Sequence, residues 1–156
     1  MNARSAESSA GTFDRIASIE MLEAVGRPFW PAYFATLRDR LAPSGLAGIQ
    51  TITIADRLWD DYASTADFIQ RHVFPGGMLP SPARLHELAA AAGLGWHGEH
   101  WFGQDYAETL ARWYAAFQRA WPAIAALPQR NGAARYDARF KRLWEYYLAY
   151  CETGFR

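Results

Sequence analysis

The order of three segments constrains this chain most. Phe13-Asp-Arg-Ile-Ala-Ser-Ile19 carries apolar residues at 13, 16, 17 and 19 and reads as a short buried strand. Pro28 to Leu41 places Trp30, Tyr33, Phe34, Leu37 and Leu41 at three- and four-residue steps, the pattern of an amphipathic helix. Pro43-Ser44-Gly45 is expected to stop that helix, and Leu46 to Ile54, with Ile49, Ile52 and Ile54, reads as a second strand. Strand, helix and strand make one α/β unit, in which the helical crossover carries the chain back so that the two strands run parallel. The expected class is α/β with a parallel sheet.

The remainder is mostly helical. Asp56 to Ala66 reads as loop and short helix. Asp67 to Phe74 is an apolar-faced run that ends in Pro75-Gly76-Gly77. Ser81 followed by Pro82 is an N-cap and first-turn pair for a helix to Ala92, closed by Gly93. Leu94 to Phe102 reads as a third, weakly patterned strand. Asp105 to Leu127 carries the stripe Tyr106, Leu110, Trp113, Phe117, Trp121 and Ile124, with Pro122 expected to kink it or begin a new turn. Pro128 to Ala134 is a loop, and Tyr136 to Phe155 is the last helix. The first dozen residues, Met1 to Thr12, read as a disordered lead-in without the apolar core of a signal peptide. Residues 13–156 form a single domain without internal repeat.

Composition narrows the function. Lysine plus arginine equals aspartate plus glutamate at 16 each, so the chain lacks the basic face of a nucleic-acid binder. A membrane surface stays open, because Arg135, Arg139, Lys141 and Arg142 form a local basic cluster. The 7 Trp, 8 Tyr and 9 Phe suit a large core or an apolar ligand site. A single cysteine, Cys151, excludes an internal disulfide and a cysteine-based zinc site, and it fits a cytoplasmic home. His97 and His100 flank Glu99, but the spacing matches no zinc signature, and no metal is expected. Gly-x-Ser-x-Gly and Walker motifs do not occur.

Read from the residues alone, Glu20 and Glu23 admit two roles. They follow the carboxyl end of the first strand, where open α/β sheets place ligand groups, or they are solvated residues of a short helix.

Several stretches carry a resemblance. Asp67-Phe-Ile-Gln-Arg-His-Val-Phe-Pro-Gly-Gly-Met-Leu-Pro-Ser81 is similar to the acyl-chain-binding insert of the cyclopropane-fatty-acyl-phospholipid synthase and mycolic acid cyclopropane synthase family. Phe13 to Gly26 resembles that family's fourth-strand segment, and Gln50-Thr-Ile-Thr-Ile54 its fifth strand. Asp105 to Trp113 and Arg142 to Phe155 resemble its two late helices. The match covers nearly everything after Thr12, with the motifs in the family's order.

The resemblance implies the carboxyl-terminal half of a Rossmann-like class I methyltransferase fold, with few parallel strands and a large helical lipid-binding insert. It implies transfer of the S-adenosylmethionine methyl to a cis double bond in a phospholipid acyl chain. Proton loss then closes a cyclopropane, or a methyl branch or methylene results. A bicarbonate is the implied base, with Glu23, Gln50, Ile52 through its backbone, and Tyr106 at the positions that hold it. Gln50 stands where well-studied members have His, although Gln is also normal for one branch, so the product stays open. An amide can hydrogen-bond bicarbonate but cannot titrate near neutral pH.

Ile19 and Glu20 fall where the cofactor is approached. Phe74, Leu79, Leu110, Tyr147, Cys151 and Phe155 match acyl-channel positions, and ordinary core is the alternative for all six. The family's glycine-rich cofactor half and its last strand are not among these residues. The lone chain is therefore expected to be inactive and to need its other half or a second copy. The alternative is a non-catalytic lipid- or partner-binding module.

Overall fold

The strand expected at Phe13–Ile19 is β1, and it occupies those residues in a computed structural model that describes residues 11–128 and 136–156, but it is mostly exposed and not buried as expected, with only Ser18 buried. The expected lead-in lies largely outside the described residues, as do most of the 128–134 loop and Arg135. The chain divides into two units, one to His97 and one from Gly98.

In the first unit, α1 (Leu22–Val25) follows β1, and a 3₁₀ turn over Arg27–Phe29 leads into α2 (Trp30–Arg40). Trp30, Tyr33, Phe34 and Leu37 are the buried face of α2, as their spacing predicts. They form the core with Leu22, Trp59, Leu85 and Ala89.

β2 spans Leu41–Gln50 and pairs parallel to β1. It starts earlier and ends earlier than the expected Leu46 to Ile54. Leu41 already pairs with Phe13, and the register then jumps so that Leu46 pairs with Arg15, leaving Ala42 to Gly45 as a bulge. Gly45 is required there, because a Cβ would stand 2.9 Å from the Phe13 carbonyl oxygen and 2.9 Å from Leu41 Cδ2. After Gln50 the chain leaves the sheet. The Ile54 amide donates to the Pro80 carbonyl instead of to a strand.

Short helices follow: a 3₁₀ turn at Asp56–Leu58, α3 (Trp59–Ser64), α4 (Phe68–His72) and α5 (Pro82–Ala91). Ser81 sits at the N-cap of α5, but its side chain makes no capping bond. Asp56 caps instead, accepting from the Ala83 amide at 3.0 Å. Hydrogen bonds from the Ser81 hydroxyl and the Ala83 amide hold the Asp56 carboxyl below its usual range. Leu94 to Phe102 forms no strand, so the sheet has two strands among the described residues. Gly95 and Gly98 interrupt the run, and glycine in a strand interior weakens it.

The second unit is a helical hairpin. α6 (Gly103–Ala125) continues past Pro122 for one last turn, where a single missing N–H is tolerated. α7 (Ala138–Phe155) starts at Asp137, whose side chain accepts from the Arg139 and Phe140 amides. The two helices run antiparallel. Gln104 Nε2 donates to the Arg156 carbonyl at one end, and the Trp121 and Phe140 rings stack 6.4 Å apart at the other. No described helix is long and apolar enough to cross a membrane.

Candidate active site

The carboxyl end of β1 is where backbone geometry departs from the ordinary. Glu20 takes φ 52, the only non-glycine in the left-handed region among the described residues. That turn lets the Glu20 amide donate to the Gln50 carbonyl at 3.0 Å, while Gln50 Nε2 donates to Glu20 Oε1 at 2.9 Å. The two adjacent chain exits, after β1 and after β2, are thus tied to each other.

Glu23, on α1, closes the next layer. Its Oε1 accepts from the Thr51 hydroxyl at 2.7 Å and from the Ile52 amide. This explains why Thr51 to Ile54 abandon the sheet: the amide of Ile52 is spent on a carboxylate. Glu23 Oε2 is buried and has no hydrogen-bond partner among the described residues. A carboxylate oxygen held in this way has a strong demand for a donor. Tyr33 lies within reach of the same charge. Burial pushes its phenol up, the bond it donates to Ser18 Oγ at 2.6 Å opposes that, and Glu23 adds to the rise.

The segment from Asp67 to Ser81 is anchored to this corner. Asp67 and Gln70 form a reciprocal capping box, with bonds of 2.8 and 2.9 Å. Gln70 Nε2 reaches on to the Gly77 carbonyl at 2.9 Å, which fixes the Pro-Gly-Gly turn to the helix before it. Gly76 takes φ 85 in that turn. The Met78 amide then donates to the Glu23 carbonyl at 3.0 Å, and the Leu79 amide to the Tyr62 hydroxyl at 3.2 Å.

The first unit therefore brings together Glu20, Glu23, Gln50 and Ile52 of the expected set, with Leu79 fixed one residue after the Met78 contact to Glu23. Ile19 and Phe74 are exposed, at 64% and 57%. In the second unit, Leu110 is buried, and the Tyr106 and Phe155 rings stand 4.7 Å apart. Tyr147 and Cys151 are half-buried on α7.

Three contributors escaped the sequence reading: Thr51, Tyr62 and Gln70. Thr51 had a signal, a hydroxyl directly before Ile52. Tyr62 and Gln70 act on residues 17 and 7 positions away, which no local pattern reports. The basic cluster is partly neutralised, since Lys141 pairs with Glu145 at 2.9 Å. No group of three metal-capable side chains is assembled among the described residues.

Residues 5–156 match the family model described as mycolic acid cyclopropane synthetase. A tuberculostearic acid methyltransferase of Mycobacterium tuberculosis is 38% identical over 94% of this chain and 33% of its own length. A cyclopropane-fatty-acyl-phospholipid synthase of Escherichia coli is 36% identical over 92% of this chain and 34% of its own. The chain thus spans about a third of these curated relatives. The crystal structure of a mycolic acid cyclopropane synthase complexed with SAH and CTAB superposes with TM-score 0.79 at 28% identity, over 96% of this chain and 53% of that one. A cyclopropane synthase structure from Mycobacterium tuberculosis, at TM-score 0.76 and 22% identity, shares the fold.

Proposed function

Because the chain belongs to the mycolic acid cyclopropane synthetase family, whose members are S-adenosylmethionine-dependent methyltransferases, we propose that it supplies the acyl-handling part of such an enzyme. In this reading it receives the cis-unsaturated acyl chain of a phospholipid and holds the base that takes the proton released after methyl transfer. The observation that carries the reading is Glu23, with one carboxylate oxygen tied down and the other buried and unpartnered.

Bicarbonate, when bound, would supply that base. Its O–H is the donor that Glu23 Oε2 lacks. The Ile52 carbonyl, which accepts a long bond from the Thr51 hydroxyl at 3.4 Å, has a second lone pair for the same ligand. Gln50 orients without titrating, and its bond to Glu20 holds the amide plane. Tyr106 is assigned as a second donor. Phe74, Leu79, Leu110, Tyr147, Cys151 and Phe155 are assigned to the acyl chain.

S-adenosylmethionine, when bound, supplies the methyl group. Ile19 and Glu20 are the only cofactor contacts assigned in this chain, and two side chains do not hold such a ligand. The reading therefore has the isolated chain bind lipid without transferring a methyl.

Equilibrium binding of cis-parinaric acid, a fluorescent unsaturated fatty acid, tests this without any methyl donor. Saturable binding, displaced by an oleoyl phospholipid and weakened by Phe74→Asp, is expected. Binding that neither saturates nor is displaced would overturn the acyl assignment.

A further inference from the structure

We infer that Glu20 is a positioning residue, held in a strained backbone conformation so that its carboxylate fixes the Gln50 amide in one orientation beside Glu23. The inference deepens the proposed base site and rests on that reading. Glu20 stands at φ 52, where a glycine would make the same turn without a Cβ penalty. The turn itself does not need a carboxylate. The Glu20 amide already joins the two strand ends through the Gln50 carbonyl at 3.0 Å. What glutamate adds over glycine is a side chain, and that side chain accepts from Gln50 Nε2 at 2.9 Å. The bond is exposed, so water competes for both partners and its net contribution to stability is small. Strain kept for a bond that stabilises little points to a task other than folding.

Gln50 is a residue that such a hold changes. A primary amide has a donor end and an acceptor end of nearly equal size, and a half-turn about its last torsion exchanges them. A carboxylate only accepts, so the bond to Glu20 admits one of the two orientations, with Nε2 toward Glu20 and Oε1 away from it. The next two residues, Thr51 and Ile52, give their hydroxyl and amide to Glu23 Oε1. Three successive residues leaving β2 are thus fixed by two carboxylates, Gln50 by Glu20 and its two followers by Glu23. Glu23 Oε2 stays buried without a hydrogen-bond partner among the described residues. A ligand that donates to this oxygen meets an amide whose donor and acceptor ends are already sorted.

The test measures bicarbonate affinity and melting temperature on the full 156-residue chain. Titration with isotopically labelled bicarbonate, followed by its carbon NMR linewidth, gives the affinity. Glu20→Gly removes the strain and the carboxylate together, so melting at or above the parent is expected, with affinity lowered about tenfold. Glu20→Ala keeps the strain and should melt below Glu20→Gly, yet lose the same affinity. In a Gln50→Ala background, Glu20→Gly should cause no further loss, because it acts through that amide. Three results would overturn the inference: parental affinity in Glu20→Gly, affinity that follows melting temperature across the variants, or an undiminished loss in the Gln50→Ala background. A parent that fails to saturate with bicarbonate refutes the base site, and the inference falls with it. A parent that saturates, with Glu23→Ala unable to bind and Glu20→Gly unaffected, refutes the inference alone.

Discussion

Replacing Glu23 separates a bound, half-satisfied carboxylate from a solvated surface residue. Glu23→Ala removes the acceptor of two hydrogen bonds, from the Thr51 hydroxyl and the Ile52 amide. Each bond to a charged acceptor contributes about 1.5–3 kcal/mol. The loss is offset by release of the unpartnered Oε2, whose burial costs about 1–3 kcal/mol. At the middle of these ranges the net is destabilisation by about 2.5 kcal/mol, or about 5–10 °C in melting temperature for a chain of this size. Glu23→Gln keeps an oxygen for both donors, so it should cost less than Glu23→Ala although the two bonds lose their charge assistance. Thermal unfolding followed by far-UV circular dichroism at neutral pH reads both. If Glu23→Ala melts at or above the parent, or Glu23→Gln falls below Glu23→Ala, then Glu23 does not organise this corner.

Three further outcomes are expected. Gly45→Ala forces its Cβ against the Phe13 carbonyl and Leu41 and should destabilise by about 1–3 kcal/mol, whereas Gly48→Ala, on the same strand with open space around its Cβ, should be neutral or slightly stabilising; denaturant melts compare them. Tyr33 and Tyr62 have phenols raised by burial, so the stability they contribute is present below the ordinary tyrosine range and lost as pH rises through the raised values. The double change to Phe should flatten the alkaline limb of a stability-versus-pH curve. Asp56 is held low by Ser81 and the Ala83 amide, so its contribution is present above the ordinary aspartate range and lost as pH falls through the lowered value. Asp56→Asn should make the acid limb shallower in the same measurement.

Much of this was legible because periodicity reports burial directly. The spacing of Trp30, Tyr33, Phe34 and Leu37 located the core face of α2; the apolar positions of β1 located the first strand but not its burial, since Phe13 and Ile19 are exposed. The second strand was displaced because Pro43 and Gly45 read as a stop, when they form a bulge that the pairing of Phe13 with Leu41 spans. Its far end was misjudged because Thr51 and Ile52 look like strand but are diverted to Glu23, a bond between residues 29 positions apart. The α5 cap was read from Ser81 because local pattern cannot see Asp56 arriving 27 residues earlier in the chain. The left-handed Glu20 had no signal, since no glycine marks the turn. The roles given to Glu23, Gln50, Ile52 and Tyr106 came from resemblance. The residues by themselves left Glu23 as readily a solvated helix residue.

The most direct measurement is transfer of a labelled methyl from S-adenosylmethionine to dioleoyl phospholipid, with this chain combined with the part of the Escherichia coli synthase outside the matched region. Label is predicted in the lipid only when both are present, and it should fall at least a hundredfold with Glu23→Ala while parinaric acid binding persists. Label transferred by this chain alone, or undiminished transfer by Glu23→Ala, would contradict the account.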